Sequence, residues 1–196
     1  FSITLLTTLI ACSSPKSIIE TVSSPINQTF SDDDDELQLI GNTNRHGLEQ
    51  APFREWFEKN YTEYEPKTSI VKKCNSKVKD VEVLAFMGTW CGDSKREVPR
   101  FYKIMDAIGM KEAQLQLVNV YLEDEQYKQG PNGEEKGLNI HRVPTFIFFK
   151  DGKEVNRIVE SPVQTLEEDM LFLFSKNYTP KYSSVIVMND ILIQKG

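Results

Sequence analysis

One cysteine of this chain stands where a thiol could do chemistry. Cys91 belongs to the run WCGDS at 90–94, directly after the apolar run 81–87 and before a helical pattern of apolar residues. Free N–H groups and the dipole at the start of a helix stabilise negative charge, so a cysteine there favours the thiolate, the form that attacks sulfur. We therefore predict that Cys91 is a reactive thiol rather than a buried structural cysteine.

The neighbours of this cysteine should modulate its reactivity. The positive charges of Lys95 and Arg96 favour a thiolate, and the carboxylate of Asp93 opposes them. A cysteine flanked by Trp90 and Gly92 in a turn should stay accessible, with the indole shielding the thiol at the rim of the site.

The hydrophobic pattern predicts the elements that must hold this site. A 3.6-residue periodicity indicates helices at 53–64 and 66–74, a helix marked by apolar residues from Val98 that continues to about 108, and a helix that runs from the capping box SPVQ at 161–164 to about 176. Short apolar or alternating runs indicate strands at 81–87, 115–121, 145–150 and 154–159. The aromatic face of the first helix is expected to pack in the core. This order predicts an α/β protein, a sandwich with a central mixed β-sheet flanked by helices.

The arrangement resembles the thioredoxin superfamily. The run Trp90-Cys91-Gly92 between a strand and a helix is similar to its active-site segment, and Pro99 stands where the superfamily kinks that helix. The run Val143-Pro144-Thr145 is similar to its cis-proline loop, and Gly152 falls at its last hairpin. The resemblance implies a thioredoxin-like fold, a cis bond before the proline, and a groove at 143–145 that faces the cysteine and pairs with an extended substrate segment.

The chain departs from the superfamily's pattern at three positions. Ser94 replaces the second cysteine, Asp93 replaces the proline of thioredoxin, and Ala85 stands where thioredoxin has a buried acid. The resemblance implies that this acid takes the proton of the second, resolving cysteine. A chain that lacks the second cysteine has no use for the acid, so the two replacements are consistent with each other. We expect Cys91 and Ser94 to be the catalytic positions of a one-cysteine site.

A second cysteine is expected to be a spectator. Cys74 precedes the strand 81–87, whereas the resemblance puts the site at the far end of that strand. Seven residues at ~3.3 Å each separate the two ends by about 23 Å. Cysteines whose Cα atoms lie more than ~7 Å apart cannot be bridged without movement. His141 is likewise expected on the surface rather than in the site.

The N-terminal part is predicted to be a membrane anchor and a spacer. Residues 1–12 are similar to a truncated lipoprotein signal peptide whose lipobox, LIAC, ends in Cys12, the site of lipid attachment. The segment 13–46 is rich in Ser, Pro and Asp and is predicted to be a disordered acidic tether. It carries −4 of the net charge of −6. The protein should then be lipid-anchored in the bacterial cell envelope, facing the periplasm or in the outer membrane.

Composition and charge narrow the classes of function. A net charge of −6 argues against nucleic-acid partners, three cysteines in 196 residues exclude a disulfide scaffold, and two histidines exclude a His-rich metal site. No cofactor and no metal are predicted. The domain assignment is a thioredoxin-like domain over 47–178 and an extension over 179–196 that forms a hairpin or an edge strand.

Two functions remain open at this point. The first is a monothiol thiol-disulfide oxidoreductase that forms mixed disulfides at Cys91, with protein disulfides or low-molecular-weight thiol adducts as substrates. An unidentified thiol reductant, or a thiol of the substrate itself, would resolve them. The alternative is a non-catalytic binding module that holds an extended partner segment at the Pro144 loop.

Overall fold

The computed structural model describes residues 17–19, 25–122, 126–175 and 177–182. The strands are β1 (Gln28–Ser31), β2 (Leu37–Thr43), β3 (Val81–Met87), β4 (Leu115–Asn119), β5 (Thr145–Lys150) and β6 (Lys153–Val159). The helices are α1 (Arg45–Leu48), α2 (Arg54–Glu63), α3 (Thr68–Cys74), α4 (Gly92–Ile108) and α5 (Leu166–Phe172), with a 3₁₀ turn at Glu112–Gln114. Among these, no helix is long and apolar enough to cross a membrane.

The strands form one mixed sheet, as predicted. Its order is β1-β2-β4-β3-β5-β6, with β3 and β4 parallel and the other neighbours antiparallel. The central strand β3 is nearly all apolar because both of its faces are covered, and Val81, Val83, Ala85, Phe86 and Met87 have no exposed surface. The predicted α/β class with a central mixed sheet flanked by helices is confirmed.

Helix α4 carries the site and is fixed by an apolar face. Its buried residues include Val98, Phe101, Tyr102, Met105 and Ile108. The ring of Phe101 stacks on Phe146 of β5 with centroids 4.5 Å apart, and Tyr102 meets Phe57 of α2 edge-on at 5.8 Å. Pro99 lies inside this helix. The start of α4 is therefore held in place by packing along its whole length.

The acidic segment contradicts the prediction of a disordered tether over 13–46. Strands β1 and β2 lie inside it, and the backbone N–H of Ile18 donates to the Glu82 carboxylate of β3 at 2.8 Å. The acids 32–36 form the turn of the β1–β2 hairpin, where water solvates their charges, while Leu39 and Ile40 are buried in the sheet. The polar and acidic residues of the segment outnumber this short apolar run, so the composition of the whole segment indicated disorder.

The last helix begins later than its sequence indicated. The run 161–164 is not the cap, because α5 begins at Leu166 and its N-cap is Thr165, whose hydroxyl accepts the N–H of Glu168 at 3.4 Å. The N–H groups of Val163 and Gln164 instead donate to the Asp169 carboxylate at 2.7 and 3.2 Å. A side chain one turn into the helix thus satisfies the donors that the predicted box would have capped.

Candidate thiol site

Cys91 is the N-cap residue of α4, immediately after a tight turn. Its N–H donates to the carbonyl of Gly88 at 3.0 Å, and its own carbonyl accepts the N–H of Lys95 at 2.9 Å. The thiol is free and the residue is only partly buried. The short turn after β3 thus delivers the sulfur to the positive end of a 17-residue helix, as the sequence predicted.

The thiol faces the loop before β5. The Cys91 sulfur donates to the carbonyl oxygen of Val143 at 3.3 Å, and the peptide bond between Val143 and Pro144 is cis. Both structural expectations for this loop, the cis bond and its position opposite the cysteine, are confirmed. The role of 143–145 as a substrate groove stays a prediction.

Three contacts fix the loop that faces the thiol. The N–H of Glu160 donates to the carbonyl of Pro144 at 2.6 Å, and the carboxylate of Glu160 pairs with the Arg142 guanidinium at 2.8 Å. The Thr145 hydroxyl, which is buried, donates to the carbonyl of Arg142 at 2.6 Å. The backbone carbonyl beside the thiol is therefore held by β5 and the end of β6 together.

Trp90 forms one wall of the site. Its indole N–H donates to the carbonyl of Val120 at 3.0 Å, and its ring packs against Tyr127 with centroids 5.8 Å apart. The ring lies so close to the backbone that a β-carbon at Gly88 would come within 2.8 Å of ring atom Cζ2. Glycine is needed there for this close approach. Val120 and Tyr127 are partners that no sequence pattern marked.

The charges beside the cysteine are largely paired with one another. The Arg96 guanidinium bonds the Asp93 carboxylate at 2.5 Å and the buried Glu97 carboxylate at 2.6 Å. Two carboxylates therefore compensate the charge of the guanidinium. Gly92 is exposed, and a β-carbon there would meet no atom within 4 Å. The surface next to Cys91 is therefore open on this side.

Ser94, predicted as a catalytic position together with Cys91, lies buried beneath the turn. The residue has no exposed surface, and its hydroxyl accepts the N–H of Gly88 at 3.3 Å. This bond ties the first turn of α4 to the end of β3. We assign Ser94 as a positioning residue of the turn that carries Cys91, not as a group that reacts with substrate.

The other cysteine and the nearby histidine lie away from the chemistry. Cys74 is fully buried in α3, where its thiol donates to the carbonyl of Glu167 at 3.5 Å. Burial, together with the Glu167 charge, raises the pKa of Cys74 to about 11, so the thiol stays protonated near neutral pH. His141 is exposed, and its carbonyl accepts from Lys128 at 2.6 Å. Cys12 lies outside the described residues.

No metal site accompanies the thiol in the described part of the chain. There, no three His, Cys, Asp or Glu side chains are arranged to hold a metal ion. Two grooves of about 290 and 480 Å³ lie at the β2–β4 edge and beside the end of α4, and Cys91 lines neither.

A helix start that presents a cysteine to a cis-proline loop, on a mixed sheet between helices, is an arrangement of the thioredoxin kind. The thioredoxin family model matches residues 63–171, more than half of the chain, and the chain belongs to this family. Its sequence is 34% identical over 87 residues to thioredoxin of Malassezia sympodialis, covering 44% of this chain and 75% of that one.

A longer relative and a solved structure are also similar. Thioredoxin-like protein 1 of Schizosaccharomyces pombe is 30% identical over 87 residues, or 44% of this chain. The match spans only 27% of that relative's length. The crystal structure of Fasciola hepatica thioredoxin aligns with a TM-score of 0.30 and 24% identity, over 45% of this chain and 77% of that one.

Proposed function

We propose that the protein is a monothiol thioredoxin-like thiol-disulfide oxidoreductase that acts through mixed disulfides at Cys91. The observation that carries this proposal is the position of the Cys91 sulfur, partly exposed at the start of α4 and 3.3 Å from the carbonyl of Val143. An extended substrate segment lying along 143–145 would bring its own sulfur to this thiol. Peptide segments commonly bind in this way by pairing with exposed backbone.

The reaction consists of two thiol-disulfide exchanges. The Cys91 thiolate attacks one sulfur of a substrate disulfide, a bond forms between the two sulfurs, and the other substrate sulfur leaves as a thiolate. A second thiolate then attacks the substrate sulfur of the mixed disulfide and releases Cys91 as a thiolate. The chain is neither oxidised nor reduced over the whole cycle.

The residue at position 94 determines where the second thiol comes from. Ser94 is a hydroxyl, which cannot displace a thiolate from sulfur, and it is buried against Gly88. The resolving thiol must therefore belong to the substrate or to a separate thiol reductant. Resolution by another thiol of the substrate rearranges the substrate's disulfides. Where the substrate carries a glutathione adduct, Cys91 takes the glutathione sulfur, the substrate thiol leaves, and a small thiol then removes the glutathione from Cys91 as a small-molecule disulfide.

Trapping of mixed disulfides tests this proposal. The wild type is incubated with a disulfide-containing protein and with glutathione disulfide, quenched with acid, and analysed on non-reducing gels and by intact mass. Adducts that reductant removes are expected on the wild type and on Cys74→Ser, the matched control with a buried cysteine. They should be missing from Cys91→Ser. If the wild type forms no adduct yet still binds an extended peptide, the protein is instead a non-catalytic binding module.

We further propose that the protein is attached to the bacterial cell envelope by lipid at Cys12. This proposal is supported by the sequence alone, namely the apolar residues 1–11, the LIAC run, and the polar residues that follow. A single acyl chain binds membranes only marginally, so stable attachment requires the several chains that bacterial lipoproteins carry. The Cys12→Ser variant should move from the membrane fraction to the soluble fraction of cells. Retention of that variant in the membrane fraction would contradict the anchor.

A further inference from the structure

The β1–β2 hairpin contacts the turn that carries the thiol, although it lies outside the range 63–171 that the family model matches. The hydroxyl of Thr89, two residues before Cys91, donates to the side-chain oxygen of Gln38 at 2.7 Å. The same hydroxyl accepts the backbone N–H of Leu39 at 3.1 Å. Thr89 and Gln38 are only 2% and 3% exposed, so water cannot replace these bonds in the folded chain.

The hairpin turn itself supports this contact. The Gln38 amide donates to the carboxylate of Asp32 at 2.8 Å, and that carboxylate also accepts the N–H groups of Asp34 and Glu36 at 3.1 and 2.8 Å. The hydrogen bond from Gln38 is the main cause that lowers the pKa of Asp32. With both ends of its amide engaged, Gln38 has one defined orientation toward Thr89.

Each residue of the turn before the thiol is held by a different element. Gly88 bonds Ser94 of α4, Trp90 bonds Val120 just after β4, and Thr89 bonds the hairpin. The hairpin supplies the bonds to the middle residue of the three. Because those bonds are buried, their loss removes the anchor of the middle residue and leaves the turn before Cys91 held only through Gly88 and Trp90.

We infer that the β1–β2 hairpin is a positioning element of the thiol site, acting on Cys91 through the contact between Gln38 and Thr89. This inference rests on the proposed thiol chemistry. It assigns to the acidic N-terminal segment a part in the reaction, beyond its place at the edge of the sheet. Supporting groups of this kind hold reacting atoms in productive geometry without contacting the substrate.

A matched pair of threonine variants tests the role. Thr89→Val removes the hydroxyl that bonds the hairpin and keeps the shape of the side chain. Thr43→Val is the control, because Thr43 lies on β2, the strand that carries Gln38, is 6% exposed, and accepts a hydrogen bond from Asn119 at 2.8 Å. The readouts are the second-order rate of Cys91 alkylation by iodoacetamide, followed by peptide mass against pH, and the thermal unfolding of each variant.

The two threonine variants should differ in their effects on the reactivity of Cys91 and on the stability of the fold. Cys91 should be alkylated on the order of tenfold more slowly in Thr89→Val than in the wild type at the same pH, which is less than the roughly 100-fold that a 1 Å misplacement of a reacting group can cost. Thr43→Val should lower the unfolding temperature but leave the alkylation rate of Cys91 unchanged. Thr89→Ser keeps the hydroxyl, so its alkylation rate should equal that of the wild type. Gln38→Met keeps the bond from Leu39 to Thr89, so it should shift the rate in the same direction by less.

Three outcomes would overturn the inference. If Cys91 reacts fast in the wild type and equally fast in Thr89→Val, the hairpin has no positioning role, and the proposed function stays intact. Equal slowing in Thr89→Val and Thr43→Val would reduce the contact to general stability. If Thr89→Val does not fold, Gln38→Met decides, and a wild-type rate in that variant overturns the role. A wild type that alkylates no faster than a free cysteine would instead defeat the proposed function.

Discussion

Replacing Gly88 with alanine should damage the wall of the thiol site while leaving the thiol itself in the sequence. A β-carbon at position 88 would lie 2.8 Å from Cζ2 of Trp90 and closer still to Cε2 and Nε1. The ring cannot move aside without loss, because its N–H bonds the carbonyl of Val120 at 3.0 Å and its face packs on Tyr127. The substitution must therefore displace the indole or the turn.

The size of the effect follows from these contacts. Loss of the indole hydrogen bond costs about 1 kcal/mol, loss of the ring contact about 0.5–1.5 kcal/mol, and overpacking about 1–3 kcal/mol. Because these contributions overlap, the free energy of unfolding should fall by about 2–4 kcal/mol. In a chain of this length, that lowers the unfolding temperature by about 5–15 °C.

Gly92→Ala is the matched control, since a β-carbon there would meet no atom within 4 Å. Alanine is also the better helix former at the start of α4, so the unfolding temperature of this variant should be unchanged or slightly higher. The measurements are thermal unfolding by circular dichroism and the tryptophan fluorescence of the folded state, to which Trp56 and Trp90 both contribute. The reasoning is refuted if Gly88→Ala unfolds at the wild-type temperature with wild-type fluorescence.

Three further predictions concern the cysteines and acid stability. Ser94→Cys should release mixed disulfides from Cys91 and add weak insulin reduction, because Cα atoms three residues apart on a helix are about 5 Å apart, within the range that disulfides bridge. Ser94→Ala, which loses the same hydroxyl, should do neither. Cys74, whose pKa burial raises to about 11, should resist iodoacetamide at pH 7.5–8 in the native protein and react once denaturant is added, as peptide mass analysis would show. Partial burial is the largest single effect on Asp106 and raises its pKa, but the hydrogen bonds from Arg45 and Tyr61, with the charge of Arg45, together outweigh it and hold the pKa of this carboxyl below its usual value. The ionised Asp106 should therefore stabilise the folded state fully above about pH 4, and this stabilisation should be lost as the pH falls through the folded pKa. In urea unfolding, the free energy of unfolding of Asp106→Asn should fall less on acidification than that of the wild type, and an equal fall would contradict the assignment.

The sequence by itself determined the local part of the site. An apolar run that ends at Met87 and a helical pattern that begins near Gly92 place Cys91 at a strand-to-helix turn. These patterns follow from periods of two and 3.6 residues, which neighbouring residues set among themselves. The α/β class followed from the order of the helices and strands, and the proline loop opposite the thiol followed from the resemblance to the thioredoxin superfamily.

Only the tertiary structure decided which groups hold the cysteine. The contact between Thr89 and Gln38 joins residues 51 apart in the chain, and the bond from Trp90 to Val120 joins residues 30 apart. Which residues meet across such distances depends on the order and register of the strands, and no local period encodes that order. For the same reason the acids at 32–36 looked like a tether in sequence, since their turn forms only when β1 and β2 pair at the edge of the sheet.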